Sequence, residues 1–226
     1  MAQINVKLQP QYVKLQPQLQ QALSELKLQL SDEQQLQLLY YLQQLLFWNK
    51  AYNLTAIKDD QQALIKHIFD SLSIVPFLPA GDLLDIGTGA GLPAMIVAIC
   101  QPQRAVTALD SNQKKIRFIK QVASELGLKN LTPVASRIEA HAGSYQVITS
   151  RAFASLVDFV THSQSKLADN GIICAMKGVE PVDEIQALQN EWQINTQVLT
   201  VPQLHESRHL IYLQRQIPHF SQFYRY

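Results

Sequence analysis

The stretch LLDIGTGAGLPAMIVAI, residues 83–99, sets three glycines within five positions between two apolar runs. A short apolar run, a bare turn and a longer apolar run form the pattern of a strand, a tight turn and a helix. Gly87, Gly89 and Gly91 let backbone amides approach a ligand with no Cβ in the way, and the helix start behind them carries a partial positive charge.

Three ligand classes could use such a turn. A nucleoside triphosphate calls for GxxxxGK[ST], but Gly91 is followed by Leu92 and Pro93. A dinucleotide prefers GxGxxG, whereas the spacing here is GxGxG and Asp85 stands two residues ahead of the first glycine, where a carboxylate repels a pyrophosphate. S-adenosylmethionine fits better: it offers a carboxylate to the amides, an ammonium and a sulfonium to Asp85, and no phosphate. Asp110 closes the run AVTAL 19 residues beyond Gly91, where a carboxylate at a strand tip can accept both ribose hydroxyls. The same acid could instead cap the helix that follows it.

Outward from the turn, short strand-like runs alternate with helical ones. DLLDI, AVTAL, LTPVA, YQVITS and GIICAM are interleaved with GLPAMIVAI, NQKKIRFIKQVASEL, ASLVDFVTHSQSKL and VDEIQALQNEW. In the second helix Ile116, Ile119, Val122, Ala123 and Leu126 share one face. INTQVLTV and HLIYLQ close the chain with no helix between them. The expectation is an α/β fold: a mainly parallel seven-stranded sheet, helices on both faces, and an antiparallel hairpin at the end. Residues 79–226 form this domain.

Upstream, SDEQ at residues 31–34 is a capping box that starts a leucine-rich helix running to Phe47 and Trp48. After WNKAYNLT a second helical pattern carries Leu64, Ile65, Ile68, Phe69 and Leu72 toward Pro76. Residues 20–78 are expected to be a small helical subdomain. Residues 1–19 hold the duplication VKLQPQ, at residues 6–11 and 13–18, whose glutamine and proline content suggests a flexible arm; Lys7 and Lys14 in it could touch an acidic partner.

The bulk numbers restrict function. A net charge of +1 excludes a broad cationic field, so a nucleic acid would have to be met by a local patch. Cys100 and Cys174 lie in apolar runs without CxxC spacing, as reduced core thiols do, which argues against a zinc site. No segment approaches a membrane span of about 20 apolar residues, and a cytoplasmic protein with no metal is expected.

WNKAYNLTAI, HIFDSL, DIGTGAGLP, ALDSNQKKIRFI and TSRAFASL together resemble the bacterial small-subunit rRNA methyltransferase G family, also called glucose-inhibited division protein B, over nearly the whole chain from about residue 31. The resemblance implies a class I, Rossmann-like methyltransferase that uses S-adenosylmethionine to modify N7 of one guanosine in the decoding-site loop of 16S rRNA. It implies that Gly87 and Leu92 line the cofactor pocket, that Ile138 and Glu139 lie beside the adenosine, and that Arg151 lies beside the reactive end. Ala94 stands where the family often has glycine, which adds one methyl group and predicts tighter packing there. The VKLQPQ repeat has no counterpart in the family pattern.

The residues agree with ring-nitrogen chemistry. Exocyclic amine methylation usually calls for [DN]PP[FY] after the fourth strand, and here the sequence reads ITSRAF. Methylating a pyrimidine carbon would call for a cysteine nucleophile, and Cys100 and Cys174 are placed as core residues. Guanine N7 needs neither, so orientation is the main requirement and Arg151 is assigned to positioning the cofactor or the guanosine, with a structural ion pair as its other reading. His67 and Asp70, three apart on a helix, are expected to tether the WNKAYNL loop or to meet RNA, and Asn49 and Asn53 to shape that loop. Lys114, Lys115, Arg117 and Lys120 load one helix; with Arg137, Lys177 and Arg208 near strand ends they could form a phosphate-binding rim. The expected partner is 16S rRNA, in a small subunit or a precursor, met by a monomer. A small-molecule methyltransferase and a non-catalytic nucleotide-binding module are the alternatives.

Overall fold

The computed structural model describes residues 6–151 and 153–216 of the 226-residue chain. The helices in chain order are α1 (Pro10–Val13), α2 (Gln16–Glu25), α3 (Asp32–Tyr52), α4 (Asp60–Ala63), α5 (Asp70–Leu72), α6 (Ala94–Cys100), α7 (Gln113–Glu125), α8 (Leu156–Ser163) and α9 (Val182–Leu188). The strands are β1 (Leu83–Ile86), β2 (Val106–Asp110), β3 (Leu131–Ala135), β4 (Tyr145–Ser150), β5 (Leu167–Lys177), β6 (Trp192–Leu199) and β7 (Arg208–Arg215).

They form one seven-stranded sheet in the order β3-β2-β1-β4-β5-β7-β6. β1 to β5 pair in parallel, and β7 runs antiparallel to both β5 and β6. The chain order reverses between β1 and β4, which opens a crevice at their carboxyl ends where parallel sheets bind ligands.

Alternate strand residues feed two cores. Leu83, Val106, Ala108, Val147 and Met176 pack against α3, α6 and α7, whereas Leu84, Ile86, Leu109, Ile148 and Ile173 pack against α8 and Trp192. The helical face expected for α7 is the buried one: Ile116, Ile119, Val122, Ala123 and Leu126 all lie inside. Asn112 caps this helix by accepting from the amides of Lys114 and Lys115. The capping box at α3 also forms, with Ser31 Oγ accepting from Gln34 N and Gln34 Oε1 accepting from Ser31 N.

One expectation needs correction. Within the arm assigned to residues 1–19, residues 6–19 are folded. Tyr12 and Leu15 are each 4% exposed and Leu19 is fully buried, and all three belong to the core beneath α3. The amide of Gln9 donates to Gln43 Oε1, and Gln43 Nε2 donates back to the carbonyl of Lys7, which fastens the first VKLQPQ copy to α3. Residues 1–5 and 217–226, assigned to the arm and to the methyltransferase domain, lie outside the described residues. Residues 20–78 hold most of α2 and all of α3, α4 and α5. Their helices share one continuous apolar cluster with α6, α7 and the sheet, so they form an outer layer on that core.

The helix after WNKAYNLT also departs from a simple α pattern. Between α4 and α5 it passes through a π-helical turn, Leu64–Phe69. The wider turn carries His67, which shares a hydrogen bond of 2.8 Å with Thr55 Oγ1, and so ties the helix to the loop in front of it. Asn49 completes the tie by accepting from Thr55 N and donating to the carbonyl of Ile57, while Asn53 ends α3 in the left-handed conformation.

Candidate active site

The glycine turn follows β1 directly. Gly87, Gly89 and Gly91 have φ of 67°, 61° and 99°, a region costly for side chains other than glycine. A Cβ on Gly89 would meet nothing within 4 Å, so the turn leaves open space on that side; one on Gly91 would press on Ile119 at 3.3 Å. The amide of Thr88 donates to the carbonyl of Leu109, and the carbonyl of Ala90 accepts from the buried Tyr41 hydroxyl at 3.0 Å. The turn is thus held from β2 on one side and from α3 on the other.

Asp85 lies beneath the turn, wholly buried. Its Oδ2 accepts from Thr88 Oγ1 at 2.5 Å and from Ala94 N at 3.2 Å, so half of the carboxylate expected to meet a cofactor is spent on the turn itself. Its Oδ1 is buried with no partner among the described residues. Burial pushes the Asp85 carboxyl up to about 7, against the hydrogen bonds from Thr88 and Ala94 and the charge of Arg151, which hold it down. Leu92 is likewise buried under the turn, its amide donating to Thr88 O. Ala94 is fully buried.

Asp110, at the tip of β2, is bonded to backbone on both sides, while the helix that follows is capped by Asn112. Asp110 Oδ2 accepts from Gly89 N at 2.9 Å and its Oδ1 from Asn112 N at 2.8 Å, bridging the glycine turn to the start of α7. It also lines a cavity of about 380 Å³ with Gly87, Leu109, Arg137, Ile138 and Glu139. Four of the residues assigned to cofactor binding, drawn from three separate segments, therefore meet around one space. Asp85, Gly89, Gly91 and Leu92 do not line it, and Arg151 lines a different cavity.

Arg151 follows β4 and lines a second cavity, of about 400 Å³, with Lys66, His67, Asp70, Lys177 and Arg208. Its Nη1 donates to the carbonyl of Lys66 at 3.1 Å and to Asp70 Oδ2 at 3.3 Å. Asp70 Oδ1 accepts from Arg208 Nε at 2.9 Å, so one carboxylate joins two arginines. His67 beside them is held neutral, its ring pushed down to about 4 by burial and by the charge of Arg151.

The basic residues divide into two groups. Lys114, Arg117, Lys120 and Arg137 are exposed, and Lys115 sits with Arg137 around the first cavity. Lys177 and Arg208 are turned inward. Lys177 Nζ donates to the carbonyls of Phe153 and Ala154. Arg208 is committed to Asp70, to Glu206 Oε2 and to the carbonyl of Ser207. Each of its three guanidinium nitrogens already has a partner within the protein.

Tyr41, Lys66 and Glu206 are parts of these sites that sequence reasoning missed. Tyr41 stands in a leucine-rich helix and looks like any core aromatic. Lys66 and Glu206 pair across 140 positions of sequence, at 2.9 Å, with no local signal.

Comparison with known proteins gives a consistent picture. A family model described as GidB, rRNA small subunit methyltransferase G, matches residues 34–211. A relative named ribosomal RNA small subunit methyltransferase G from Psychrobacter cryohalolentis is 66% identical over 209 residues, covering 92% of this chain and 88% of its own. One of the same name from Acinetobacter baumannii is 52% identical, covering 87% and 96%. Among solved structures, magnesium protoporphyrin IX methyltransferase from Synechocystis, with bound S-adenosylmethionine, superposes with a TM-score of 0.57 at 15% identity, covering 78% of this chain and 97% of that one. That likeness shows the fold.

Proposed function

The chain belongs to the rRNA small subunit methyltransferase G family, and from that membership we propose that it transfers a methyl group from S-adenosylmethionine to N7 of a guanosine in the decoding-site loop of 16S rRNA. The observation that carries this reading is the pair of cavities flanking the carboxyl ends of β1 and β4, one walled by Asp110, Ile138 and Glu139 and the other by Arg151.

The residues present fit the cofactor. The buried, unpartnered Oδ1 of Asp85 suits a cationic group, and the open space at Gly89 admits a ligand against the turn. Asp110 keeps lone pairs beyond its two backbone contacts for ribose hydroxyls, and Leu109 and Ile138 supply apolar walls for an adenine. The cofactor supplies an electrophilic methyl group on a sulfonium.

The protein's own contribution is then orientation. Guanine N7 has an in-plane lone pair and no proton to lose, so holding it in line can supply roughly 7–11 kcal/mol without a general base. The local chemistry agrees. β4 ends in Thr149 and Ser150, followed by Arg151 where an amine-methylating motif would stand. The thiols of Cys100 and Cys174 are each pushed up to about 12 by burial, which keeps them protonated and poor nucleophiles. We read the enzyme as a cytoplasmic monomer acting on a small subunit or a precursor of it.

The test is to incubate small subunits from cells lacking this protein with labelled cofactor, cleave chemically at 7-methylguanosine and map the scission. A single new cut in the decoding-site loop is expected. Label in adenosine, in cytidine or only in a small molecule would overturn the reading.

A further inference from the structure

Arg151 is held at one end of its guanidinium only. Of its five N–H donors, the two on Nη1 are fixed, one by the carbonyl of Lys66 and one by Asp70 Oδ2. Nε and Nη2 make no bond to the described residues, and the side chain is 28% exposed toward a cavity of about 400 Å³. That volume lies within the range of about 300–1,000 Å³ used by small-ligand sites. Asp70 is itself only 4% exposed and is pinned on its other oxygen by Arg208 Nε at 2.9 Å. The guanidinium is therefore fixed at one end and open at the other.

Both anchors depend on the π-helical turn. Lys66 lies within Leu64–Phe69 and Asp70 is the residue after it. The turn directs the Lys66 carbonyl to Arg151, and His67 fastens the same turn to Thr55. Arg151 also sits one residue beyond β4, whose neighbour β1 leads into the glycine turn. Its charge is felt at both Asp85 and Tyr41 below that turn.

On these grounds, and resting on the guanine-N7 reading above, we propose that the Arg151 cavity is the target-base pocket and that the free donors of Arg151 select guanine over adenine by bonding O6. Both purines present an in-plane N7 lone pair on the same edge. They differ on that edge at position 6, where guanine has an acceptor and adenine an amino donor. An arginine has donors only, so an adenine amino group would face it unpaired. Ordinary arginine recognition grips O6 and N7 together, which would block the nitrogen that must attack. With N7 turned to the methyl donor, the contact available to the arginine is O6; Asp70 and the Lys66 carbonyl hold Nη1 and so leave Nε and Nη2 as the donors for it, which makes Asp70 a positioning residue in this scheme. Transfer forms the N7–CH3 bond as the sulfonium C–S bond breaks. The sulfur keeps the electron pair and the purine takes the positive charge.

The experiment uses the full chain and small subunits reconstituted with guanosine, inosine or 2,6-diaminopurine riboside at the target position. Inosine keeps O6 and loses the 2-amino group; 2,6-diaminopurine keeps the 2-amino group and replaces O6 by an amine. The wild-type protein is expected to methylate inosine at close to the guanosine rate and 2,6-diaminopurine at least about tenfold more slowly. Arg151→Gln, whose amide can donate or accept, should slow guanosine and shrink the guanosine to 2,6-diaminopurine ratio toward one. Asp70→Asn should shrink the ratio with cofactor affinity unchanged, an effect that mere loss of stability does not produce. If Arg151→Gln is too slow to rank the bases, the wild-type ratio together with Asp70→Asn decides. A wild-type protein that accepts 2,6-diaminopurine as well as guanosine overturns the pocket assignment, as does an unchanged ratio in Asp70→Asn. Failure of the wild-type protein to methylate guanosine at N7 at all would instead strike the functional reading beneath it.

Discussion

Tyr41, fully buried on α3, donates its phenolic hydrogen to the carbonyl of Ala90 across 3.0 Å, joining the outer helical layer to the glycine turn. Its ring also packs against Phe118 of α7 at 6.1 Å between centroids. The hydroxyl is thus the polar end of an apolar wedge, and it meets a carbonyl that water reaches poorly. Burial and the nearby Asp85 raise the phenol far above its ordinary range, so it remains a donor at every working pH.

Tyr41→Phe should keep the wedge and lose the bond. Leaving the Ala90 carbonyl without a partner costs about 1–3 kcal/mol. The turn should loosen, and S-adenosylmethionine affinity should fall several-fold while the sheet stays intact. Calorimetric titration beside a melting curve checks both. An unchanged affinity would mean that α3 covers the turn without shaping it.

The pH dependence of stability should reflect two opposed groups. Asp85 is raised from an ordinary 3.8 to about 7, chiefly by burial, so its contribution is full below about pH 4 and is lost as pH rises through 7. His67 is lowered from 6.5 to about 4, again chiefly by burial, so its contribution is full above pH 6.5 and is lost as pH falls toward 4. Across pH 4–6.5 the two slopes oppose each other. Asp85→Asn should leave stability that rises with pH in that window, and His67→Gln stability that falls with it, as read from urea midpoints. Parallel profiles in the two variants would contradict the assignment.

Residues 6–19 show where composition misleads. Glutamine and proline suggested a solvated arm, yet Tyr12, Leu15, Leu19 and Leu23 recur every three or four positions and all are buried. Deleting residues 1–19 removes three of these, each contributing about 1.5–3 kcal/mol by burial. The truncated chain is expected to melt at a clearly lower temperature and to bind a hydrophobic dye. A melting temperature equal to that of the full chain would restore the flexible-arm reading.

The sheet was legible because its signals are local. β1, the glycine turn and the amphipathic face of α7 are written in consecutive residues, and Ser31 with Gln34 marks the start of α3 within one turn. Asp110 was legible for the same reason, since a strand tip and a helix start fix where its carboxylate goes. Which way Asp85 would face was not. Every residue of β1 is buried, on both faces of the sheet, so alternation does not say which partner the carboxylate finds. The Asp70 network was hidden for a different reason: Asp70 follows the π-helical turn, Arg151 follows β4 and Arg208 starts β7, and only the tertiary fold brings the two arginines to one acid.

That network separates two kinds of arginine that look alike in sequence. Arg137 is exposed and lines the Asp110 cavity. Arg208 has its Nε on Asp70, its Nη2 on Glu206 and its Nη1 on the Ser207 carbonyl. If Arg137 binds RNA, Arg137→Ala should weaken binding about equally across sequences and reduce the slope of log affinity against log salt by roughly one phosphate contact, about 0.7–0.9. Arg208→Ala should leave that slope nearly unchanged. It should lower stability by about 2 kcal/mol, less than the 3–5 of a fully buried pair, because a fifth of its side chain is exposed. Methyl transfer should also slow, since Asp70 would lose the partner that fixes it against Arg151. Filter binding from low to moderate salt, with single-turnover rates on the same preparations, measures all three quantities. A salt slope that falls in Arg208→Ala and stays constant in Arg137→Ala would show that RNA draws Arg208 out of its internal pairs, and would move the phosphate-binding rim from the Asp110 cavity to the edge of β7.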